Sequence, residues 1–449
     1  MSTPSDTIAA IATAPGRGAV GMLRLSGPQA LDIATRLAGP LPPPRLAALR
    51  HFRDAGGNAL DQGLVLVFPG PNSFTGEDVV ELQGHGGPVV LDLLLRACCA
   101  CGARVARPGE FSERAFLNER MDLAQAEAIA DLINAATAQA ARAAQRSLDG
   151  ALSQQVSAIT EELIALRVFV EGALDFSDED VDWLADAQLH TRLETLALHL
   201  DALLAQAAQG RRLREGLTIA LTGQPNVGKS TLMNRLAGAE VAIVTDIAGT
   251  TRDVLRENLD LAGLPVTLVD TAGLRDSEDV VEREGIRRAR AALEQAELAL
   301  YLVDDRSGTD DTDARLLAGL PAGLPVWVLH NKCDLSGRAA QRFERDGRVH
   351  LRIAAAGGDG LELLLAEIRR FAGLGAGEAT FSARTRHVDA LQRARGLLRD
   401  AQQRLAEGAT PELAAEELRL AQEAMGEITG RFGSEDLLGR IFSSFCIGK

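Results

Sequence analysis

The eight residues Gly223-Gln224-Pro225-Asn226-Val227-Gly228-Lys229-Ser230 constrain this chain more than any other stretch. The pattern G-x-x-x-x-G-K-S functions only as the link between a strand and a helix. Both flanks are present, an apolar strand-like run at 217–222 and a helix-like run at 231–236. Glycines let backbone N–H groups curl around a β-phosphate, the helix N-terminus adds the positive end of its dipole, and Lys229 brings a point charge. Ser230 has the hydroxyl that a magnesium ion needs, and Thr231 continues the helix start. The stretch therefore predicts the strand–loop–helix unit of an α/β nucleotide domain.

Three further motifs follow in order. Gly249-Thr250-Thr251-Arg252 is a Thr-bearing segment suited to close over magnesium. Asp270-Thr271-Ala272-Gly273 follows the apolar run 266–269. Asp270 can hold magnesium through water, and the Gly273 N–H can sense a γ-phosphate. Asn331-Lys332-Cys333-Asp334 follows the apolar run 326–329. The Asp334 carboxylate can accept from N1–H and the 2-amino group of guanine, a pair that adenine lacks, so ATP would leave it unpaired. The four motifs predict a GTPase domain. The usual fifth motif is weak. After the run 349–353 comes Ala354-Ala355-Ala356-Gly357, without the Ser expected there, and only the Ala355 N–H is left to reach guanine O6. Leu274 occupies the place where many GTPases carry a water-orienting Gln. Hydrolysis then needs another water-holder and another positive charge. Asp276, Glu278, Asp279, Glu282 and Glu284 follow closely, and any one of them is a candidate. The same residues also suit a solvated helix start.

The chain of 449 residues allows two to four domains, and its 46% hydrophobic content supports real cores. No apolar run approaches the length of a membrane helix, and the N-terminus lacks the basic region of a secretory signal. The formal charge of −15 argues against a broad nucleic-acid surface, so RNA would need a local basic patch. Five cysteines, an odd number, fit a reducing, cytoplasmic setting. Cys98-Cys99-Ala100-Cys101 lies in an apolar helix-like run and is expected to pack rather than to bind metal.

Residues 1–118 alternate strand-like runs (21–25, 64–68, 79–82) with helix-like ones (29–37, 89–101), as a small α+β domain does. A helical domain occupies 119–215. It opens with the capping box Asp122-Leu123-Ala124-Gln125, and Leu123, Ala126, Ala130 and Ile133 follow at helical spacing. It is interrupted by an acidic stretch at 175–182, expected to be a solvated turn. The GTPase domain spans 216–373 with six strand-like runs in a mostly parallel sheet. After the Gly-rich segment 373–377, taken as a linker, helix texture returns over 374–449, with Ala414, Leu418, Ala421, Met425 and Ile428 on one face. The nucleotide domain is thus expected to be inserted into a helical domain whose two halves pack together.

The tail Phe442-Ser443-Ser444-Phe445-Cys446-Ile447-Gly448-Lys449 is a poor prenylation signal, with Gly448 non-aliphatic and Lys449 last. Two phenylalanines before Cys446 predict a docked tail rather than a frayed one. A docked Cys446 can be a nucleophile or thiol donor if its pKa is lowered, with Lys449 close by to help.

These strings together resemble the MnmE/TrmE family of tRNA-modification GTPases along the whole chain. The likeness rests on Asp6-Thr7-Ile8, Pro15-Gly16-Arg17-Gly18, Asn72-Ser73-Phe74-Thr75-Gly76-Glu77-Asp78 and Gly84-His85-Gly86-Gly87. It continues through Arg107-Pro108-Gly109-Glu110-Phe111-Ser112-Glu113-Arg114-Ala115-Phe116, Thr245-Asp246-Ile247-Ala248-Gly249-Thr250-Thr251-Arg252-Asp253 and Cys446-Ile447-Gly448-Lys449. The resemblance implies a multidomain α/β and α protein: an α+β folate-binding domain that also forms a homodimer, a helical bundle, and an inserted Ras-like P-loop GTPase domain. It implies addition of a (carboxymethyl)aminomethyl group at C5 of the wobble uridine of tRNA. The implied partner is the flavoprotein MnmG (GidA), in a heterotetramer or larger complex that brings FAD and NADH. The one-carbon unit would come from 5,10-methylene- or 5-formyl-tetrahydrofolate held by Arg24, Glu81, Arg120 and Lys449, with Arg120 where a Lys is common. The resemblance also answers Leu274. Asn226, Thr245, Ile247 and Thr250 match ligands of a potassium ion placed where an arginine finger reaches elsewhere, with the nucleotide domains dimerising across their nucleotide faces. Glu282 matches the water-orienting acid, and Ser230 and Thr251 the magnesium ligands. The family requires the tail cysteine, here Cys446.

Two other readings compete. A ribosome-assembly GTPase would share these motifs, but would append a compact basic RNA-binding domain, where this chain has acidic helices. A folate-dependent transferase with a merely regulatory GTPase predicts modification that persists when hydrolysis is blocked.

Overall fold

The structure is a computed structural model that describes residues 6–175, 187–239, 256–270, 293–374, 381–407, 411–431, 435–446 and 448. The chain divides into two compact units, one of residues 1–130, 148–193 and 396–449, the other of residues 131–147 and 194–395.

The first unit is built on six strands, β1 (Ile8–Ile11), β2 (Gly18–Ser26), β3 (Ala48–Arg53), β4 (Ala59–Phe68), β5 (Val79–Gly86) and β6 (Arg104–Val105), in the order β3-β4-β5-β2-β1-β6. All neighbours are antiparallel except β1 and β6. Side chains alternate between the faces of a strand. Leu23 and Leu25 of β2 therefore join Val65, Leu82, Ile33, Leu37 and Leu94 in the core under α1 (Ala30–Ala38) and α2 (Pro88–Ala100). Arg24 between them points to the other face, where Ile8, Ala10, Ala106 and Phe111 cluster against α3 (Glu110–Leu117). Cys98 is buried within α2, and burial pushes its thiol pKa far up, so the C-x-x-C packs as expected. The strands β1, β3 and β6 were not legible: β6 has only two residues, and edge strand β3 has no apolar run.

Helix α4 (Leu123–Ile133) begins with the predicted capping box. Gln125 N–H donates to Asp122 Oδ1 (2.9 Å), and Asp122 N–H donates to Gln125 Oε1 (3.0 Å). Leu123 and Ala126 are buried, but Ile133, placed on the same stripe by spacing, is 47% exposed at the helix end. The chain continues through α5 (Ala138–Leu148), α6 (Ala151–Asp175) and α7 (Ala187–Glu215). Apart from Asp175, the acidic stretch lies outside the described residues, as does most of the 373–377 segment.

The second unit has a seven-stranded sheet of β7 (Leu217–Gly223), β8 (Arg256–Leu261), β9 (Leu264–Asp270), β10 (Leu298–Asp304), β11 (Val326–Asn331), β12 (Gln341–Arg345) and β13 (Arg348–Arg352), in the order β12-β13-β11-β10-β7-β9-β8. The five inner strands are parallel, β7, β9, β10 and β11 are mostly apolar, and the edges β8 and β12 are antiparallel. Six strands were expected. The seventh, β12, is polar (QRFER), and its one signal is the two-residue turn Asp346-Gly347, both residues at positive φ. Helices α8 (Lys229–Ala239), α9 (Asp311–Ala318), the single turn α10 (Cys333–Ser336) and α11 (Leu361–Phe371) follow in turn, and α12 (Thr385–Glu407) begins in this unit and ends in the first. The β8–β9 turn is held from two sides: Thr137 Oγ1 donates to Gly263 O (2.8 Å) and Arg369 Nη1 to Ala262 O (2.5 Å).

The chain then returns to the first unit. The stripe Ala414, Leu418, Ala421, Met425 and Ile428 of α13 (Pro411–Thr429) is fully buried, and α13 packs along α6. Segments from before and after the nucleotide motifs thus meet in one unit. Helix α14 (Glu435–Ser443) packs on α3.

Candidate functional site

In an open parallel sheet, ligands bind beyond the carboxyl ends of the strands. The register of the second unit brings four such ends together. Asp270 pairs with Leu221, two residues before the phosphate loop; Leu302 pairs with Gly223; Asp304 pairs with Asn331. The phosphate loop leaves β7 at Gly223, with φ +134 and its Cα so close to Leu302 O that a Cβ would clash there. It re-enters helix at Lys229, through Gly228 at φ +103, where a Cβ would meet the Asn331 amide. These two glycines are required by approach and by conformation. Lys229 Nζ donates to Gly223 O and Gln224 O (both 2.8 Å) within the loop, Val227 is buried, and Ser230 and Thr231 stand exposed in the first turn of α8. No group of three His, Cys, Asp or Glu residues among the described residues forms a metal site. A magnesium ion that takes a Ser hydroxyl, phosphate oxygens and water needs none.

The base-reading motif is tied to this loop by its own side chains. Asn331, buried at 2% exposure, donates Nδ2 to Val227 O (2.8 Å) and accepts the Ala355 N–H on Oδ1 (2.9 Å). The Ala355 N–H, expected at guanine O6, is thus donated to Asn331, because Ala355 is itself buried while Ala356 is the exposed residue of the triplet; Ala354 is buried as well. Lys332, at φ +66, donates Nζ to Asn226 O (2.8 Å) and to Asp304 Oδ2 (2.9 Å). Asn226 itself is at φ +62 and exposed. Hydrogen bonding to Arg306, with Lys332 beside it, holds the Asp304 carboxyl far below the usual carboxylate range. Asp334 is exposed on the single turn α10. Thr245, Asp246, Ile247, Ala248, Gly249, Thr250, Thr251, Thr271, Ala272, Gly273, Leu274 and Glu282 lie outside the described residues.

A second site lies on the α3 side of the first unit's sheet. Arg24 pairs with Glu81 across β2 and β5 (Nη2–Oε1 2.9 Å, Nε–Oε1 3.1 Å), and its guanidinium lies over Phe74 (5.4 Å) and Phe111 (5.8 Å). Beside it is a cavity of about 410 Å³ lined by Arg45, Phe68, Phe74, Glu81 and Arg120, among others. Glu119, at φ +55, turns the chain after α3 so that Arg120 reaches this wall. The volume suits a small-molecule site, and the lining suits a flat ring with an N–H donor edge for Glu81 and an anionic tail for the guanidinium groups. The structure brings Arg24, Glu81 and Arg120 together; Lys449 lies outside the described residues.

The tail docks on the same unit. Phe442 and Phe445 are buried with Leu123, Ala126, Leu438 and Ile441, and Phe442 meets Phe116 at 6.3 Å. Gly109 N–H donates to Cys446 O (3.3 Å), and a Cβ on Gly109 would clash with Phe442 O. Gly448 sits at φ +94 with no room for a Cβ, which would stand 2.6 Å from Ile11 O. Cys446 is exposed.

Sequence reasoning missed Asp304, although it closes an apolar run (298–303) just as Asp270 does. It also missed Arg45, whose part in the cavity depends on a fold that no local pattern encodes.

Comparison with known proteins gives the family. Residues 7–120 match the family described as GTP-binding protein TrmE N-terminus, and residues 123–446 match the MnmE helical domain. The tRNA modification GTPase MnmE of Stutzerimonas stutzeri is 54% identical over 455 residues, which covers 100% of each chain. Among solved structures, an Era protein of Aquifex aeolicus bound to GDP and aluminium fluoride is 26% identical, over 40% of this chain and 66% of that one, with a TM-score of 0.28. The G domain of the T. maritima FeoB iron transporter is 23% identical, over 35% and 98%, with a TM-score of 0.27. End-to-end identity of this order, with both family models in sequence along the chain, places the protein in the MnmE family of tRNA modification GTPases.

Proposed function

We propose that this GTPase is the hydrolysing subunit of a complex that adds a (carboxymethyl)aminomethyl group at C5 of the wobble uridine of tRNA, working in the cytoplasm with a flavoprotein of the MnmG (GidA) type that brings FAD and NADH. The observation that carries the reading is the presence of two unlike sites in one chain: a phosphate loop joined to a guanine motif by Asn331, and an aromatic cavity with a carboxylate and guanidinium groups. GTP is the substrate of the first. Asn226, Val227, Gly228, Lys229, Ser230 and Thr231 surround the phosphates, and Asn331, Lys332, Asp334 and the 354–356 loop surround the base. Magnesium is held by Ser230 and Thr251. A potassium ion on Asn226, Thr245, Ile247 and Thr250 supplies the positive charge that an arginine supplies elsewhere, and Glu282 orients the water that Leu274 cannot.

Tetrahydrofolate occupies the cavity, with the ring edge on Glu81, which Arg24 orients, and the acidic tail on Arg120. Lys449 completes this site, and Cys446 takes part in the chemistry. The proposed functional boundaries are 1–118 for the folate-binding and homodimerising domain, 119–215 and 374–449 for the two halves of the helical domain, and 216–373 for the GTPase domain.

Mass analysis of tRNA tests the reading. Cells without the gene are expected to lose the C5 group of wobble uridine, regain it with the parent chain, and fail to regain it with Cys446→Ser. Intact modification in the deletion strain contradicts the proposal.

A further inference from the structure

Asp305 belongs to none of the nucleotide motifs, yet it lies beneath the base-reading turn with its side chain fully buried. Its N–H donates to Asn331 O (2.8 Å). Its carboxylate accepts from Ser336 Oγ, at the end of α10, and from Arg352 Nε (3.4 Å) on β13. Arg338 Nη1 reaches both its carbonyl (3.3 Å) and its carboxylate (3.5 Å). The stacked pair His330–His350 (Nε2···Nδ1 2.9 Å) closes the remaining side, with His330 Nδ1 3.8 Å from Asp305 Oδ1. Burial, with His350 adding to it, pulls the His330 pKa down to about 4, so His330 is not a third cation on the carboxylate near neutral pH.

The geometry is that of a clamp. At the front of α10, Lys332 is held by Asp304 and by Asn226 O. At its back, Ser336 and Arg338 are held by Asp305, the next residue of the chain. Asp334 stands between the two anchors, exposed and on a helix of four residues that has no stability of its own. Backbone order there comes from the two anchors together with the buried Cys333, whose N–H donates to Ile353 O (3.1 Å). A carboxylate preset toward the base loses less conformational freedom on binding than one on a mobile turn.

We infer that Asp305 is a positioning residue for guanine recognition: through Ser336 and Arg338 it presets the turn that carries Asp334, so that the chain selects a purine with a 2-amino group. This inference rests on Asp334 reading the base. Asp305 touches neither substrate nor reacting atoms, so its loss separates binding and selectivity from turnover.

The test uses the full chain and compares GTP with ITP, which lacks the 2-amino group, for KM, kcat and GDP affinity. Asp305→Asn is expected to raise KM for GTP about tenfold and narrow the GTP/ITP ratio of kcat/KM, with kcat at saturating GTP unchanged. Ser336→Ala is expected to shift both in the same direction by a smaller factor, and to add little in the Asp305→Asn background. A GTP/ITP ratio equal to the parent's in folded Asp305→Asn overturns the inference. So does an equal fall of kcat and kcat/KM, which points to general loosening. Should Asp305→Asn fail to fold, Ser336→Ala and Arg338→Gln decide the matter, and parental ratios in both overturn it. Asp334→Asn is the control: it is expected to move preference from GTP to XTP. If it does not, the base reading itself fails; if it does while the Asp305, Ser336 and Arg338 variants keep parental ratios, only the positioning role fails.

Discussion

The two candidate sites of this chain are built by opposite means. The nucleotide edge uses backbone at the ends of adjacent parallel strands, with side chains such as Asn331 and Lys332 reaching short distances to loop carbonyls. The cavity of the N-terminal sheet uses side chains from β4, β5, Arg45, the 72–74 segment and Arg120, with Arg24 of β2 paired to Glu81 at its edge, all brought together by an antiparallel sheet. The first kind of site needs fixed residue types at fixed spacing and leaves a motif. The second needs only that a carboxylate, guanidinium groups and rings converge, and spacing alone does not reveal it.

The sharpest way to break this contrast lies in the acid proposed to orient the attacking water. Glu282→Ala is expected to lower the hydrolysis rate by about 10²-fold or more while leaving GTP affinity nearly intact, and exchange of potassium for sodium to slow the parent strongly. Stopped-flow turnover with mant-nucleotide binding checks both. Retained turnover in the variant means that another acid holds the water, and equal rates in the two salts remove the cation from the account.

A second test addresses the tail. Phe442 is 2% exposed between Phe116 and Phe445, and Phe442→Ala should cost about 3–5 kcal/mol of local stability. Hydrogen exchange is expected to rise over residues 109–126 and 438–446, with GTP affinity unchanged. Protection unaltered at those residues would mean that the tail does not dock in solution.

The smallest effect is a pH slope. Burial lowers the His330 pKa to about 4 from an ordinary 6.5, so between those values the unfolded chain binds a proton that the folded chain refuses. Stability then falls as pH drops from about 6.5 toward 4, and this contribution is constant above 6.5. Urea midpoints over that window should show the slope, and His330→Asn should reduce it to the part that His350, whose pKa burial also lowers, contributes; an unchanged slope would place the titration elsewhere.

The same contrast explains what was legible in the sequence. The capping box Asp122–Gln125, the apolar stripe from Ala414 to Ile428 and the inner parallel strands all follow from local patterns that burial enforces. Strand β12 escaped because an exposed edge strand needs no apolar residues, and its polar run shows only the Asp346-Gly347 turn. The donation of the Ala355 N–H to Asn331 escaped because a motif names residues and not the bonds between them. Asp305 escaped for the same reason, although two successive carboxylates closing an apolar strand are a usable signal. The fit of Gly448 against Ile11 is invisible until residues from opposite ends of the chain are brought into contact.

The central claim is that a motif-built edge hydrolyses GTP while a pocket assembled from side chains carries the one-carbon chemistry. Glu81→Gln tests it most directly, with the GTPase rate of the purified chain measured beside the C5 modification of wobble uridine in cells whose only copy is the variant. The account predicts a parental GTPase rate and modification reduced at least about tenfold, since a charged partner of the bound ring is lost. Full modification with Glu81→Gln, or loss of both activities together in a folded protein, would contradict it.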